Sequence, residues 1–144
     1  MARYHASVDT QQAPAEVFNH LSNFSTAAEW DPGVVEAERL SDAPLGEGAL
    51  FRLVARFMGR RTSLTYRIVE YDQPRAVTFL GENATVTSLD RMVFESAGAG
   101  TRLTYDADLR LKGPLRILDP LLQVAFRRTG DRALAGLQRV LSAP

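Results

Sequence analysis

TRLTYDADLRLKGPLRILDPLLQVAFRRTGDRALAGLQRVL, residues 101–141, changes its period partway along. Up to Lys112 the apolar residues fall on alternate positions: Leu103, Tyr105, Ala107, Leu109 and Leu111 oppose Arg102, Thr104, Asp106, Asp108 and Arg110. That is the alternation of a strand with one buried and one wet face. Gly113-Pro114 ends it. Beyond, Leu118, Leu121, Leu122, Ala125, Phe126, Ala133, Leu134, Leu137 and Leu141 recur at three- and four-residue intervals, which predicts a core-facing helix to about residue 141. Either Asp119 caps a new helix with Pro120 in its first turn, or the helix kinks there. From Pro120 to Leu141 the helix would span about 33 Å, enough to cross a small sheet. Gly130 sits mid-helix at a cost of about 1 kcal/mol against alanine, which points to close packing or a bend.

Upstream of this stretch the chain is strand-like back to Val34. Strands are expected near 34–41, 48–58, 62–72, 76–82, 86–96 and 101–112, separated by Ala43-Pro44-Leu45-Gly46, Gly59-Arg60, Asp72-Gln73-Pro74, Glu82-Asn83 and Ala97-Gly98-Ala99-Gly100. Each break supplies glycine, proline or an Asx turn former, and connections this short make an antiparallel sheet. A further strand alternates over residues 3–10, with Tyr4, Ala6 and Val8 inward. Ala13-Pro14 then opens a helix carrying Val17 and Leu21 on its apolar side, and Phe24 to Trp30 reads as a second short helix stopped by Asp31-Pro32-Gly33. One helix cannot cover a flat seven-stranded sheet, so the sheet has to curl around it. The expected class is α+β: a curved seven-stranded antiparallel sheet gripping a long C-terminal helix, with two short helices after strand 1 and an apolar space left between sheet and helix.

At 144 residues the chain is read as a single domain, 1–144, with one core. Lys+Arg and Asp+Glu are both 17, so no bulk charge draws it to nucleic acid or to anionic lipid. The absence of cysteine removes thiol nucleophiles, disulfides and thiolate metal sites, and fits a cytoplasmic location. No apolar run reaches the ~20 residues that span a bilayer, so no stable membrane insertion is expected. Neither histidine, His5 or His20, has metal-ligand spacing, and both read as surface or structural groups. No metal and no cofactor are expected.

Several short pieces, in order, resemble the START-like superfamily, also called the SRPBCC or Bet v 1-like fold, in its polyketide cyclase/dehydrase and lipid-transport branch. They are Ala13-Pro14-Ala15-Glu16-Val17-Phe18, Glu29-Trp30-Asp31-Pro32, Gly46-Glu47-Gly48, Gly100-Thr101-Arg102-Leu103-Thr104-Tyr105 and Leu111-Lys112-Gly113-Pro114-Leu115. The resemblance covers essentially the whole chain. It implies the helix-grip fold, and it leaves the reaction open, because carriers, aromatic cyclases and chaperone activators share that fold.

Strand parity places Phe51, Leu53 and Phe57, then Leu64 and Tyr66, then Phe79, then Asp90, Met92 and Phe94, then Tyr105 on the concave face. With Trp30 as a roof and Leu122 and Phe126 from the helix, these are the expected ligand-binding residues. Asp90, Tyr66 and Tyr105 are the candidate proton-handling groups, because a carboxyl and two phenols among apolar walls can orient or activate a bound molecule. The first functional reading is binding or carriage of a small hydrophobic molecule (a lipid, polyketide, isoprenoid or aromatic metabolite) in a cavity of ~300–1,000 Å³. The alternative is a cofactor-independent cyclase or dehydratase using the same cavity. The third is a protein-interaction module, which would need an exposed apolar patch; no such stripe stands out beyond the predicted core positions.

Overall fold

The computed structural model describes residues 2–57 and 59–142, with Asp119 in its backbone only. The strand end at Met58 and a cap by the Asp119 side chain therefore lie outside the described residues. The strands are β1 (Ala2–Thr10), β2 (Val34–Arg39), β3 (Leu50–Phe57), β4 (Arg60–Asp72), β5 (Ala76–Glu82), β6 (Val86–Ala97) and β7 (Gly100–Leu111). They form one antiparallel sheet in the order β1-β7-β6-β5-β4-β3-β2. The long first-to-last pairing of β1 with β7 returns the N-terminus to the C-terminal strand, from Ala2 opposite Leu109 to Thr10 opposite Thr101.

Between β1 and β2 the chain forms helix α1 (Pro14–Ser22), a 3-10 turn (Phe24–Thr26) and a short helix α2 (Ala27–Trp30). Pro14 begins α1, where its missing N–H costs nothing. The stretch expected as one helix from Phe24 to Trp30 is thus split. Asn23 causes the tight first part, because its side chain accepts from the N–H of Ser25. After β7 a 3-10 segment (Gly113–Leu118) leads into helix α3 (Asp119–Ser142). Helix α3 begins at Asp119 with Pro120 in its first turn.

The sheet curls as the coverage argument requires. Tyr4 of one edge strand and Val34 of the other line the same cavity under α3. Bulges between Val34 and Glu36 in β2 and between Ile68 and Glu70 in β4 add local bend. The concave face is apolar as parity predicts: Phe51, Leu53, Leu64, Ile68, Val77, Phe79, Met92, Phe94 and Leu103 are all buried.

Helix α3 corrects one expectation. Leu122, Ala133, Leu137 and Leu141 are buried, but Leu118 and Leu121, read from spacing as core-facing, are exposed. A helix turns about 100° per residue, so a stripe built on Leu122 and Phe126 turns Leu121 and Val124 away from the sheet. The expectation of no exposed apolar stripe fails at the same place. Gly130 serves close packing: a Cβ there would fall 2.4 Å from the ring of Tyr4, whose hydroxyl donates to Asp131 Oδ1 at 2.8 Å. Burial, reinforced by Asp131, pushes the Tyr4 phenol up to about 12.

Candidate functional site

A cavity of about 200 Å³ lies between the sheet and α3. It is smaller than the sequence expectation because aromatic side chains plug one end of the concave face. Phe24 stacks on Phe79 with ring centroids 4.0 Å apart, and Phe18 meets Phe94 edge-on at 5.2 Å. Phe51, Phe79, Met92 and Phe94 therefore belong to the solid core and do not line the cavity. Parity gave their face correctly. It carries no information on how far along each strand the helical plug reaches. The other expected residues, Trp30, Leu53, Phe57, Leu64, Tyr66, Asp90, Tyr105, Leu122 and Phe126, do line it.

The polar groups of the cavity form one network. Strand β6 points Asp90 inward, 6% exposed, among apolar neighbours. Ser88 Oγ donates to Asp90 Oδ1 at 2.8 Å, and the Tyr105 hydroxyl donates to Asp90 Oδ2 at 2.8 Å. Burial raises the Asp90 carboxyl above the usual range, while the bonds from Ser88 and Tyr105 pull it back and nearby Asp108 adds to the rise. Burial and the Asp90 charge likewise hold Tyr66 and Tyr105 protonated, so both phenols remain donors. Asp90 and both tyrosines thus lie in one region of the cavity.

Asp31 is the site residue that sequence reasoning missed. Asp31-Pro32-Gly33 was legible only as a helix stop, yet Asp31 lines the cavity beside Trp30. The N–H of Gly33 donates to Asp31 Oδ1 at 2.9 Å. Burial pushes its carboxyl up to about 6, against the Gly33 bond and with help from Asp90. The available signal was its position: an acid directly after an inward-facing tryptophan. The indole N–H of Trp30 is buried without a hydrogen-bond partner, though the residue is 2% exposed. Trp30 meets Tyr105 edge-on at 6.2 Å, which fixes both rings over the network.

Chemically, the lining offers the carboxyls of Asp31 and Asp90, the phenols of Tyr4, Tyr66 and Tyr105 and the hydroxyls of Ser88, Thr62, Thr85 and Thr129 to a molecule otherwise held by apolar walls. Among the described lining residues Arg56 alone carries a positive charge, and it is exposed. Among the described residues no group of acids and histidines has a metal-holding arrangement. His5 is exposed against Asp106, and His20 pairs with Glu29 at 3.0 Å, so both histidines sit apart from the cavity. A Tyr105→Phe variant is expected to lose about 1–3 kcal/mol in a urea melt, because it leaves a buried carboxyl oxygen of Asp90 without its donor while keeping the ring. An unchanged melt would show that the bond contributes nothing.

Comparison with known proteins fits this geometry. A family model described as polyketide cyclase / dehydrase and lipid transport matches residues 1–142. The uncharacterized proteins MT1597 and Rv1546 of Mycobacterium tuberculosis are each 35% identical over 83 residues, a match covering 56% of this chain and 57% of theirs. The chain thus spans little more than half the length of these relatives. A START superfamily protein from Mycobacterium smegmatis superposes with TM-score 0.81 at 14% identity, covering 98% of this chain and 97% of its own. The Zhui aromatase/cyclase from Streptomyces sp. R1128 does so with TM-score 0.79 at 15% identity, covering 96% of this chain and 92% of its own.

Proposed function

Because the chain belongs to the polyketide cyclase / dehydrase and lipid transport family, we propose that it binds a small, largely apolar molecule in the cavity under α3 and orients it through Asp31, Asp90 and Tyr105. The observation that carries this reading is that Asp31 and the bonded trio Ser88, Asp90 and Tyr105 line a space walled mostly by apolar side chains. Apolar contact supplies affinity, and the few polar groups fix orientation. Size bounds the ligand. A void of ~150 Å³ holds one benzene-sized molecule. The about 200 Å³ here fits a single-ring aromatic or a short isoprenoid or acyl segment. The ligand needs a polar group facing the two carboxyls.

Trp30 is the single tryptophan of the chain and lines the cavity, so its emission reports occupancy directly. Native mass spectrometry of protein purified from its own host is expected to reveal a co-purified molecule of this class. The released compound, added back to emptied protein, is expected to shift Trp30 emission saturably and to raise the melting temperature. No co-purified mass, together with unchanged emission across small aromatic and isoprenoid probes, would defeat the proposal.

A second reading is cyclase or dehydratase catalysis in the same cavity. It is favoured by Asp31, whose carboxyl at about 6 holds or yields a proton near neutral pH, and by its coupling to Asp90. The similarity to a protein described as an aromatase/cyclase supports the same chemistry. Carriage and catalysis separate in one comparison. In an enzyme, Asp31→Asn and Asp90→Asn abolish turnover of a bound substrate, whereas in a carrier they change affinity alone.

A further inference from the structure

The exposed apolar residues of the C-terminal segment form a surface that the cavity does not use. Leu115, Ile117, Leu118, Leu121 and Val124 lie within ten consecutive positions, with Ile117 82%, Leu121 65% and Val124 59% exposed. Scattered exposed leucines are ordinary, but a run of large aliphatic side chains on one segment is not. This run adjoins the cavity, since Leu122 and Phe126 on the next face of α3 line it. The hairpin of β3 and β4 borders the same cavity, because Phe57 and Thr62 line it too.

Apart from Asp119, whose side chain lies outside the described residues, the charged residues between 114 and 130 are all arginines. Arg116, Arg127 and Arg128 flank the apolar run, and all three are exposed. On the hairpin, Arg56 and Arg61 sit directly opposite each other, with Arg60 beside them opposite Phe57. Like charges directly opposite across a strand pair are destabilising unless something anionic answers them. Among the described residues, no ion pair engages any of these six arginines. The chain as a whole is neutral, so this is a local concentration of charge.

We propose that this face docks on an anionic lipid surface, with Ile117, Leu121 and Val124 dipping into the headgroup region and the arginines pairing with lipid phosphates. An aliphatic centre bordered by arginines matches an interfacial amphipathic element. A second copy of the chain matches it poorly, because two-fold pairing would set arginine against arginine. Nucleic acid would answer the arginines but leave the aliphatic centre wet. Docking here places the cavity beside the bilayer, where an apolar ligand enters or leaves without crossing water. The surface stands on its own geometry and does not depend on what fills the cavity.

The test is vesicle co-sedimentation of the full chain. Binding is expected to phosphatidylcholine vesicles containing phosphatidylglycerol, and to fall at least about tenfold on pure phosphatidylcholine, since each arginine near an anionic surface contributes ~1 kcal/mol. Leu121→Asp with Val124→Asp, and separately Arg127→Glu with Arg128→Glu, are expected to abolish sedimentation while leaving the melting temperature and any ligand-induced Trp30 shift in vesicle-free buffer unchanged. Equal binding to both vesicle types, no binding to either, or a concentration-dependent dimer dispersed by the aspartate variant would each overturn the proposal.

Discussion

An Asp31→Asn variant is expected to be more stable than the parent near pH 8, by up to about 3 kcal/mol, and to match it below about pH 4. The reason is linkage. The Asp31 carboxyl is raised from 3.8 to about 6 on folding, so between those values the folded state holds a proton that the unfolded state has lost. Stability therefore falls as pH rises through that window, and the full penalty is present once both states are ionised. Asparagine never ionises, so it escapes the penalty, and its side-chain oxygen still accepts from the N–H of Gly33. Urea melts of both proteins at the two ends of the window decide the matter. A stability difference of the same size at both would mean that the carboxyl is not desolvated by folding.

The same variant is expected to bind ligand at least about tenfold more weakly, since hydrogen bonds to charged groups contribute ~1.5–3 kcal/mol. A residue whose removal stabilises the fold and weakens binding is one retained for its site, which is the usual trade between stability and function. Asp90 does not give this signature. It carries two internal donors, Ser88 and Tyr105, and truncating it strands both. Asp31 is held by one backbone N–H, whereas Asp90 is embedded in a side-chain network, so the two variants are expected to differ in stability even where both weaken binding.

Much of the fold was legible because it rests on periodicity. The alternation in β7 survives as burial at Leu103 and Ala107, with Tyr105, Leu109 and Leu111 half-buried on the cavity wall, and the helical spacing survives at Leu122, Ala133, Leu137 and Leu141. The inward turn of Asp90 followed from the same parity, since Val86, Ser88, Met92 and Phe94 are buried with it. What parity could not reach is depth. Phe79 and Leu64 look alike as inward residues, yet Phe24 seals one beneath a stacked ring and leaves the other facing open space. Asp31 was hidden for a different reason. Its residue type and its proline neighbour already had a sufficient local explanation as a helix stop, and local sufficiency conceals a tertiary role. Leu121 shows the reverse error. Three-and-four spacing identifies helix, but two interleaved stripes both satisfy it, and only the sheet decides which one is covered.

Gly136→Ala is expected to lower stability by about 2–3 kcal/mol and the melting temperature by on the order of 8 °C, and to disturb the cavity as well. A Cβ at Gly136 would fall 1.7 Å from the carbonyl oxygen of Trp30 and 2.7 Å from its carbon. Those are backbone atoms at the end of α2, which is held by the bond from the N–H of Asp31 to the carbonyl of Ala27 at 2.8 Å. They cannot swing aside, so α3 must rise. Alanine returns about 1 kcal/mol of helix propensity, too little to offset the clash. Gly130→Ala tests the logic on the same helix. There the Cβ meets only the ring of Tyr4, a half-buried side chain able to rotate at the loss of its bond to Asp131, so the propensity gain nearly balances the cost. Gly46→Ala, with nothing within 4 Å of the new Cβ, is the neutral control. Thermal melts of the three variants should rank Gly136 far below the other two, with altered Trp30 emission in that variant alone, because Trp30 is both the residue struck and a wall of the cavity. If Gly136→Ala melted with the parent, α3 would not be seated on α2, and the gap between helix and sheet in which the ligand is proposed to lie would be set by the contacts of α3 with β1 instead.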